Sequence, residues 1–311
     1  MTAIGSEPAV VDDDAGTGAK GESTRVTFQI PSTTDWIVEA LGHQPDLGAV
    51  TVGGAQIAFR TWGQQTGRDV MLVHGGGAHS GWWDHIGPLL AERGRVAALD
   101  LSGHGDSDHR GQYDMAQWGA EVLEVRRAAG LGPACTVVGH SLGGLITLYL
   151  RDKEEAGVDR AIVVDSPIGG PEAQKLPEAG GFVSRRRLYP SREQAMARFR
   201  PVPAQASLPE VHEHVASDSV RQKDGGWTWK FDAGIFGGAA RMRTTLPRPG
   251  GRLAYLRGEI GMVRPAVRSI IEQAGGICLD LPGAGHAPML DQPAALVASL
   301  RAVIAGWDQR S

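Results

Sequence analysis

Short apolar runs alternate with segments of helical periodicity along most of this chain. Strand-like runs occur at "DVMLVH", "RVAALDL", "CTVVGH", "AIVVDS", "RLAYLRGE" and "GICLDL". Apolar residues recur at helical spacing in "MAQWGAEVLEVRRAAG", "RPAVRSIIEQAG" and "PAALVASLRAVIAGW". Buried strands separated by helices are typical of a parallel sheet that is covered on both faces. The pattern therefore predicts an α/β fold with a mostly parallel sheet.

The beginning of the chain departs from this alternation. Residues 1–24 are polar, acidic and glycine-rich, and we expect them to form a disordered tail. They lack a basic start followed by an apolar stretch, so a secretory signal is not expected. Further on, "AVTVGGAQIAFRTWG" predicts two strands that form a hairpin at Gly53-Gly54.

A long insertion is predicted at residues 168–250, which are rich in proline, glycine and arginine. Its pattern predicts two helices. One begins at Ser191, with Gln194 as its capping partner, and the other lies around "LPEVHEHVA". We expect residues 25–167 and 251–311 to form the α/β core. Because ligands bind at the carboxyl ends of the strands in such sheets, we expect the insertion to cap the ligand site.

Composition and charge narrow the class of protein. Of 311 residues, 41% are hydrophobic and 21% are charged, with a net charge of −4, as in globular chains. No basic stripe with interleaved aromatics occurs, so we expect no nucleic-acid partner. No run of about 18 apolar residues occurs, so we expect no membrane span. Cys135 and Cys278 lie in apolar runs without disulfide or metal-ligand spacing, which favours a cytoplasmic location.

A serine lies between two glycines where a predicted strand turns into a predicted helix. The stretch "TVVGHSLGG" places Ser141 between Gly139 and Gly143. A tight strand-to-helix turn exposes the serine oxygen, and the glycines relieve crowding in that turn. A hydroxyl becomes an effective nucleophile when a base takes its proton. We therefore predict Ser141 as a nucleophile, with the backbone N–H of Leu142 helping to bind an oxyanion.

Two further motifs supply partners for this serine. In "VHGGGAHSGWW", a strand ends in a glycine-rich loop whose backbone can approach a ligand oxygen. We assign the Gly76 N–H as the second oxyanion donor, with Gly77 as the alternative. In "LPGAGHAPML", His286 follows a late strand and comes after the serine in chain order, as expected of a general base. His104 and His140 fit structural roles better.

Together these motifs resemble those of the α/β-hydrolase superfamily over about residues 48–308. The matching residues are His74-Gly75-Gly76, "DLSGHGDSD" at 100–108, Gly139 through Gly143, and Gly285-His286. The resemblance implies an eight-stranded, mostly parallel sheet with helices on both faces and a helical cap after the sixth strand. It also implies a Ser–His–acid triad and, in hydrolytic members, no metal or organic cofactor.

The acid of the triad departs from the usual family pattern. The family usually places it in a Gly-x-x-Asp turn after the seventh strand, but this chain has Gly261 there, with Glu259 two residues earlier. In some members the acid ends the sixth strand, where this chain has Asp165. An acid that closes an apolar strand needs a partner, and an imidazole N–H would serve. We predict Asp165 as the acid. Glu259 and a water-assisted dyad are the alternatives.

The predicted activity is cleavage of an ester or lactone of a small apolar molecule through an acyl-enzyme. Trp83, Trp227 and Trp229 are predicted to line the substrate site, although such aromatics are also typical of a core. The alternatives are a hydrolase of carbon–carbon bonds in diketone-type substrates, a non-hydrolytic lyase or cyclase, and a ligand-binding protein on this fold. We expect no partner besides a small-molecule substrate, and a monomer or homodimer.

Overall fold

The core of the molecule is built on one large sheet. The structure is a computed structural model and describes residues 35–169, 187–236 and 246–309. The predicted tail at 1–24 lies outside the described residues. The strands of the described ranges are β1 (Asp46–Val52), β2 (Ala55–Trp62), β3 (Val70–Val73), β4 (Val96–Leu99), β5 (Thr136–His140), β6 (Arg160–Val164), β7 (Val220–Lys223), β8 (Gly226–Trp229), β9 (Arg252–Gly258) and β10 (Ile277–Leu281).

Eight of these strands form the sheet, in the order β1-β2-β4-β3-β5-β6-β9-β10. The six strands from β4 to β10 in this order are parallel, while β1 and β2 are antiparallel to their neighbours. Every residue of the central strands β3 to β6 is buried, as expected for strands covered on both faces. The predicted eight-stranded, mostly parallel sheet is confirmed.

Helices cover both faces of the sheet. Successive residues of β3 point to opposite faces, so Val70 and Leu72 join one apolar cluster and Met71 and Val73 join another. The first cluster includes residues of α1, α2 and α9, and the helices α3 and α4 pack on the second. The described helices are α1 (Asp35–Gly42), α2 (Gly87–Ala91), α3 (Met115–Ala128), α4 (Leu142–Arg151), α5 (Arg192–Met196), α6 (Pro209–Asp218), α7 (Val267–Gln273), α8 (Pro288–Asp291) and α9 (Pro293–Asp308).

The predicted hairpin is present at Gly53-Gly54, where both glycines have positive φ angles of 53° and 81°. The apolar spacing in "WWDHIGPLLAER" predicts one helix over this stretch, but the observed helix is shorter. A 3₁₀ turn covers Ser80–Trp83, and α2 begins only at Gly87. Pro88 lies in the first turn of α2, which is the position in a helix where its missing N–H does least harm.

The part of the insertion that the structure describes combines two short helices with a hairpin. Helices α5 and α6 lie where they were predicted, and Ser191 caps α5 by accepting the N–H of Gln194 at 3.3 Å. Strands β7 and β8 form an antiparallel hairpin after α6, an element that the sequence pattern did not predict beside the two helices. This hairpin turns at Asp224-Gly225, and both residues have positive φ angles. The Asp-Gly pair is a strong hairpin signal that could have predicted it.

An ionic cluster fastens α6 to the sheet. The Arg60 guanidinium of β2 lies 2.5 Å from Asp218 at the end of α6 and 2.6 Å from Asp84. Lys230 lies 3.0 Å from the other oxygen of Asp218. Burial raises the pKa of Asp218, but the positive charge beside it lowers that pKa by more, to well below its usual value. Burial lowers the pKa of neighbouring His79, so the cations at neutral pH are Arg60 and Lys230.

Replacing Asp218 by asparagine is expected to lower the free energy of unfolding by about 2 kcal/mol near neutral pH. The folded pKa of Asp218 lies below the unfolded value of about 3.9, so this stabilisation is present above pH ~4 and is lost as the pH falls further. Thermal unfolding of both proteins between pH 7 and pH 3 measures the effect. Asp46→Asn, at an exposed carboxylate, is the control. A difference that grows on acidification would contradict the assignment.

Candidate active site

Ser141 lies in the tight turn between β5 and α4, as the sequence predicts. Its backbone has φ 51° and ψ −113°, a conformation that costs a non-glycine residue about 1–3 kcal/mol. The N–H of Ser141 donates to the carbonyl of Val164 on the neighbouring strand at 3.0 Å. The completed sheet thus holds the strained turn and keeps the hydroxyl beyond the carboxyl end of β5.

Glycines surround this turn because side chains would collide with its backbone. A Cβ atom at Gly139 would collide with the carbonyl of Gly143, and one at Gly143 with the carbonyl of Val73. A Cβ atom at Gly144 would collide with the Ser166 hydroxyl. The glycines of the "GHSLGG" stretch are therefore required by close packing of the turn against β3 and β6.

The structure brings together Ser141, His286 and Asp165, which are far apart in sequence. Ser141 Oγ lies 3.1 Å from His286 Nε2, and His286 Nδ1 lies 2.8 Å from Asp165 Oδ2. A carboxylate only accepts hydrogen bonds, so Nδ1 carries the proton and Nε2 is free to accept the proton of the serine. This arrangement has the geometry of a nucleophile, a general base and an orienting acid.

Asp165 directly follows β6 and is fully buried. Its φ angle of 40° is a strained backbone conformation for a non-glycine residue. The carboxylate also accepts the N–H of Gly258 at 3.0 Å and of Met262 at 2.9 Å. These three donors replace the solvation that a buried carboxylate loses.

Gly261 leaves room for this acid. A Cβ atom at Gly261 would lie 2.5 Å from Asp165 Oδ2, so the Asp165 carboxylate occupies the space where a side chain at 261 would begin. The alternative acid, Glu259, is elsewhere: its Oε2 accepts the N–H of Gly283 at 2.8 Å. The geometry favours Asp165 over Glu259.

The glycine-rich loop that follows β3 lies against the turn that contains Ser141 and Leu142. A Cβ atom at Gly75 would lie 3.2 Å from the Cβ of Ser141, and one at Gly76 would lie 3.9 Å from the Cβ of Leu142. The N–H of Leu142 belongs to the first turn of α4, where amide groups lack an intrahelical acceptor. The role of the Gly76 and Leu142 N–H groups as oxyanion donors stays a prediction.

Comparison with known families now bears on this arrangement. The model of the alpha/beta hydrolase family matches residues 70–300, which include the serine, the histidine and the buried acid. The chain is a member of the alpha/beta hydrolase family. The match covers most of the chain.

Curated relatives of this alpha/beta hydrolase include proteins described as esterases. An esterase of Mycobacterium tuberculosis is 27% identical over 276 residues, which cover 85% of this chain and 90% of the relative. An uncharacterized protein of the same organism is 36% identical over 129 residues, which cover 39% of this chain and only 35% of that longer protein. The esterase relative supports a hydrolase on this fold.

Solved structures agree on the fold of this alpha/beta hydrolase. E-2-(acetamidomethylene)succinate hydrolase has a TM-score of 0.69 at 19% identity, covering 84% of this chain and all of that one. The thioesterase domain of the curacin biosynthetic pathway has a TM-score of 0.67 at 22% identity, covering 83% and 99% of the two chains. Among the described residues, no helix is long and apolar enough to span a membrane.

Three other histidines of this alpha/beta hydrolase lie buried near the site. The His140 Nε2–H donates to the carbonyl of His286 at 2.8 Å, and His74 Nε2 accepts the N–H of Leu101 at 3.1 Å. Burial lowers the pKa of His74 to about 4 and that of His140 and His104 well below the usual value. They are neutral at physiological pH and hold loops in place, as expected for His104 and His140.

Two of the predicted tryptophans fit a substrate site better than the third. Trp83 has no exposed surface and packs in the core, so its prediction as a substrate contact is wrong. Trp229 is partly buried, with its ring 6.2 Å from that of Tyr189 and 6.4 Å from that of Phe199. Trp227 is also partly buried and pairs with Tyr189 through the backbone. A substrate contact at Trp227 and Trp229 stays a prediction.

Two residues near the site were missed by sequence reasoning. The Phe236 ring lies 3.5 Å from the position of a Cβ atom at Gly76, so it borders the predicted oxyanion loop. Gln205 contacts the residue after His286. Both lie in the insertion, where no motif marks them, and only the folded chain brings them to the site.

Proposed function

We propose that this alpha/beta hydrolase cleaves an ester or lactone bond of a small apolar molecule through an acyl-enzyme on Ser141. The observation that carries the proposal is the continuous chain of hydrogen bonds from Ser141 Oγ through His286 to Asp165. The esterase relative that aligns over most of both chains adds support. A complete set of nucleophile, base and acid counts against a purely ligand-binding role.

The reaction begins when Ser141 Oγ attacks the carbonyl carbon and its proton passes to His286 Nε2. The C=O π electrons become the charge of an oxyanion, which the N–H groups of Gly76 and Leu142 bind. When the tetrahedral intermediate collapses, the ester C–O bond breaks and the alkoxide takes the proton from His286. In a lactone this alcohol remains part of the acyl group.

Water then releases the acyl group, and His286 again acts first as a base and then as an acid. His286 takes a proton from water, and the hydroxide attacks the acyl carbon. The bond to Ser141 Oγ breaks, the serine recovers its proton from His286, and a carboxylic acid leaves. Asp165 stabilises the imidazolium of both steps without accepting its proton. No oxidant, metal or second substrate besides water is needed.

The surroundings of the predicted oxyanion loop support an apolar acyl group. Phe236 lies 3.5 and 3.7 Å from the positions of Cβ atoms at Gly76 and Gly77, and the Leu142 side chain lies 3.8 Å from the same position at Gly76. These two apolar side chains favour an aliphatic or aromatic acyl chain. They offer no polar group that could pair with a charged acyl chain.

The test is intact-mass spectrometry after treatment with a small fluorophosphonate. We expect one adduct on the wild type, none on Ser141→Ala, and an unchanged adduct on Ser269→Ala, which alters an exposed serine of α7. Hydrolysis of p-nitrophenyl acetate is measured in parallel. A folded wild type that forms no adduct and releases no p-nitrophenolate would refute the proposal.

A further inference from the structure

Side chains hold the backbone on both sides of His286. The N–H of Gly285 donates to Asp291 Oδ2 at 2.7 Å, and the carbonyl of His286 accepts the Nε2–H of His140 at 2.8 Å. The N–H and the carbonyl of Ala287 are both bound by the Gln205 side chain, at 2.8 and 3.0 Å. The position of the imidazole therefore depends on four side-chain hydrogen bonds to its loop.

Gln205 differs from the other members of this set because it belongs to the insertion. It lies between α5 and α6, and 82 residues separate it from Ala287. Its amide oxygen accepts from Ala287, while its Nε2 donates to Ala287 and, at 3.0 Å, to Asp291 Oδ2. The side-chain amide of Gln205 thus binds both the N–H and the carbonyl of Ala287, the residue that follows His286.

The loop is closely fitted to this pair of side chains. A Cβ atom at Gly285 would lie 2.8 Å from Asp291 Oδ2 and 3.0 Å from the Gln205 amide carbon. The loop therefore approaches Gln205 and Asp291 as closely as a glycine allows. A displacement of either side chain would open space behind the histidine rather than be absorbed by the loop.

We propose that Gln205 is a positioning residue that sets His286 for proton transfer, so that the insertion is part of the catalytic architecture as well as a cover. This inference rests on the proposed function, in which His286 is the general base. Gln205 touches no reacting atom; it acts through the backbone of Ala287. A shift of the base of about 1 Å is enough to slow a reaction about a hundredfold.

The first test separates the rate of phosphonylation at saturating fluorophosphonate from the half-saturating concentration of the probe. In Gln205→Ala we expect the saturated rate to fall about 10- to 100-fold, while half-saturation changes by less than about threefold. Gln222→Ala, at an exposed glutamine of the same insertion, should match the wild type in both quantities. A wild-type saturated rate in folded Gln205→Ala would overturn the inference.

A second pair of variants keeps the inference testable if Gln205→Ala destabilises the fold. In Gln205→Glu the carboxylate can accept from Ala287 but faces Asp291 with like charge and donates nothing, so we expect slow labelling. Combining Gln205→Glu with Asp291→Asn removes this repulsion. The amide introduced at position 291 can donate to the carboxylate introduced at position 205 and accept from Gly285, and labelling should recover at least about tenfold.

Rates and melting temperatures are compared across these variants. Recovery in the double variant with no matching rise in melting temperature would support positioning. A rate that follows melting temperature through all variants would mean that Gln205 only stabilises the fold, and would overturn the inference. An unlabelled wild type is a different outcome, because it refutes the proposed function itself.

Discussion

Replacing Asp165 by asparagine is expected to slow acylation of Ser141 by about four orders of magnitude. The amide can donate to His286 Nδ1, which would leave the imidazole proton on Nε2 and block the transfer from the serine. The remaining amide oxygen keeps the bond to the N–H of Gly258, while the amide nitrogen takes the place of the oxygen that accepts from Met262. Asparagine tolerates the φ of 40°. The measurement is the rate of ester hydrolysis or fluorophosphonate labelling.

Glu259→Gln is the matched control for this prediction. Its amide oxygen can still accept the N–H of Gly283, and the side chain does not contact His286, so we expect a rate within about threefold of the wild type. Circular dichroism confirms that both variants are folded. Equal losses in the two variants, or a larger loss in Glu259→Gln, would contradict the assignment of Asp165 as the acid.

Adding a single methyl group at Gly261 is expected to reduce the acylation rate at least about a hundredfold. The new Cβ atom would lie 2.5 and 2.6 Å from the two Asp165 carboxylate oxygens, which is too close for either atom to remain in place. The acid must move, and the orientation of His286 is lost with it. Gly111→Ala is the control because a Cβ atom there has no neighbour within 4 Å.

The same geometry suggests how the loss can be repaired. Asp165→Gly suits the positive φ at that position and empties the space in front of Gly261. Adding Gly261→Asp then returns a carboxylate to the space that Asp165 vacated. We expect the double variant to be at least about tenfold faster than Asp165→Gly alone. No recovery, or a full rate in Gly261→Ala, would mean that Asp165 and position 261 do not compete for the same space.

Most of the core could be predicted from the sequence because its signals are local. Central strands buried on both faces have uninterrupted apolar runs, and the hairpin at Gly53-Gly54 is marked by its two glycines. The helix predicted over "WWDHIGPLLAER" is shorter than expected, since α2 begins only at Gly87, with Pro88 in its first turn. In the insertion, the predicted helices were found but the hairpin at Asp224-Gly225 was missed, although its turn residues mark it.

The candidate site also has a part that could be predicted from the sequence and a part that could not. Ser141 and His286 lie in glycine-rich motifs that the strand pattern places at the sheet edge, and the structure brings the two side chains together. The choice between Asp165 and Glu259 depends on which carboxylate reaches the histidine, a distance that chain spacing does not specify. Trp83 was predicted as a substrate contact but is buried in the core, because a core aromatic and a substrate contact look alike in sequence.

The hydrogen bonds of the triad join parts of the chain that are synthesised at very different times. Ser141 and His286 are 145 residues apart, and Asp165 and His286 are 121 apart, with the whole insertion between them. Contacts of such long range carry a high loop-closure entropy cost and form slowly. A nascent or truncated chain that ends before β9 therefore carries a serine without its base. Reactivity of Ser141 reports on completion of the entire sheet and can serve as a readout of correct folding.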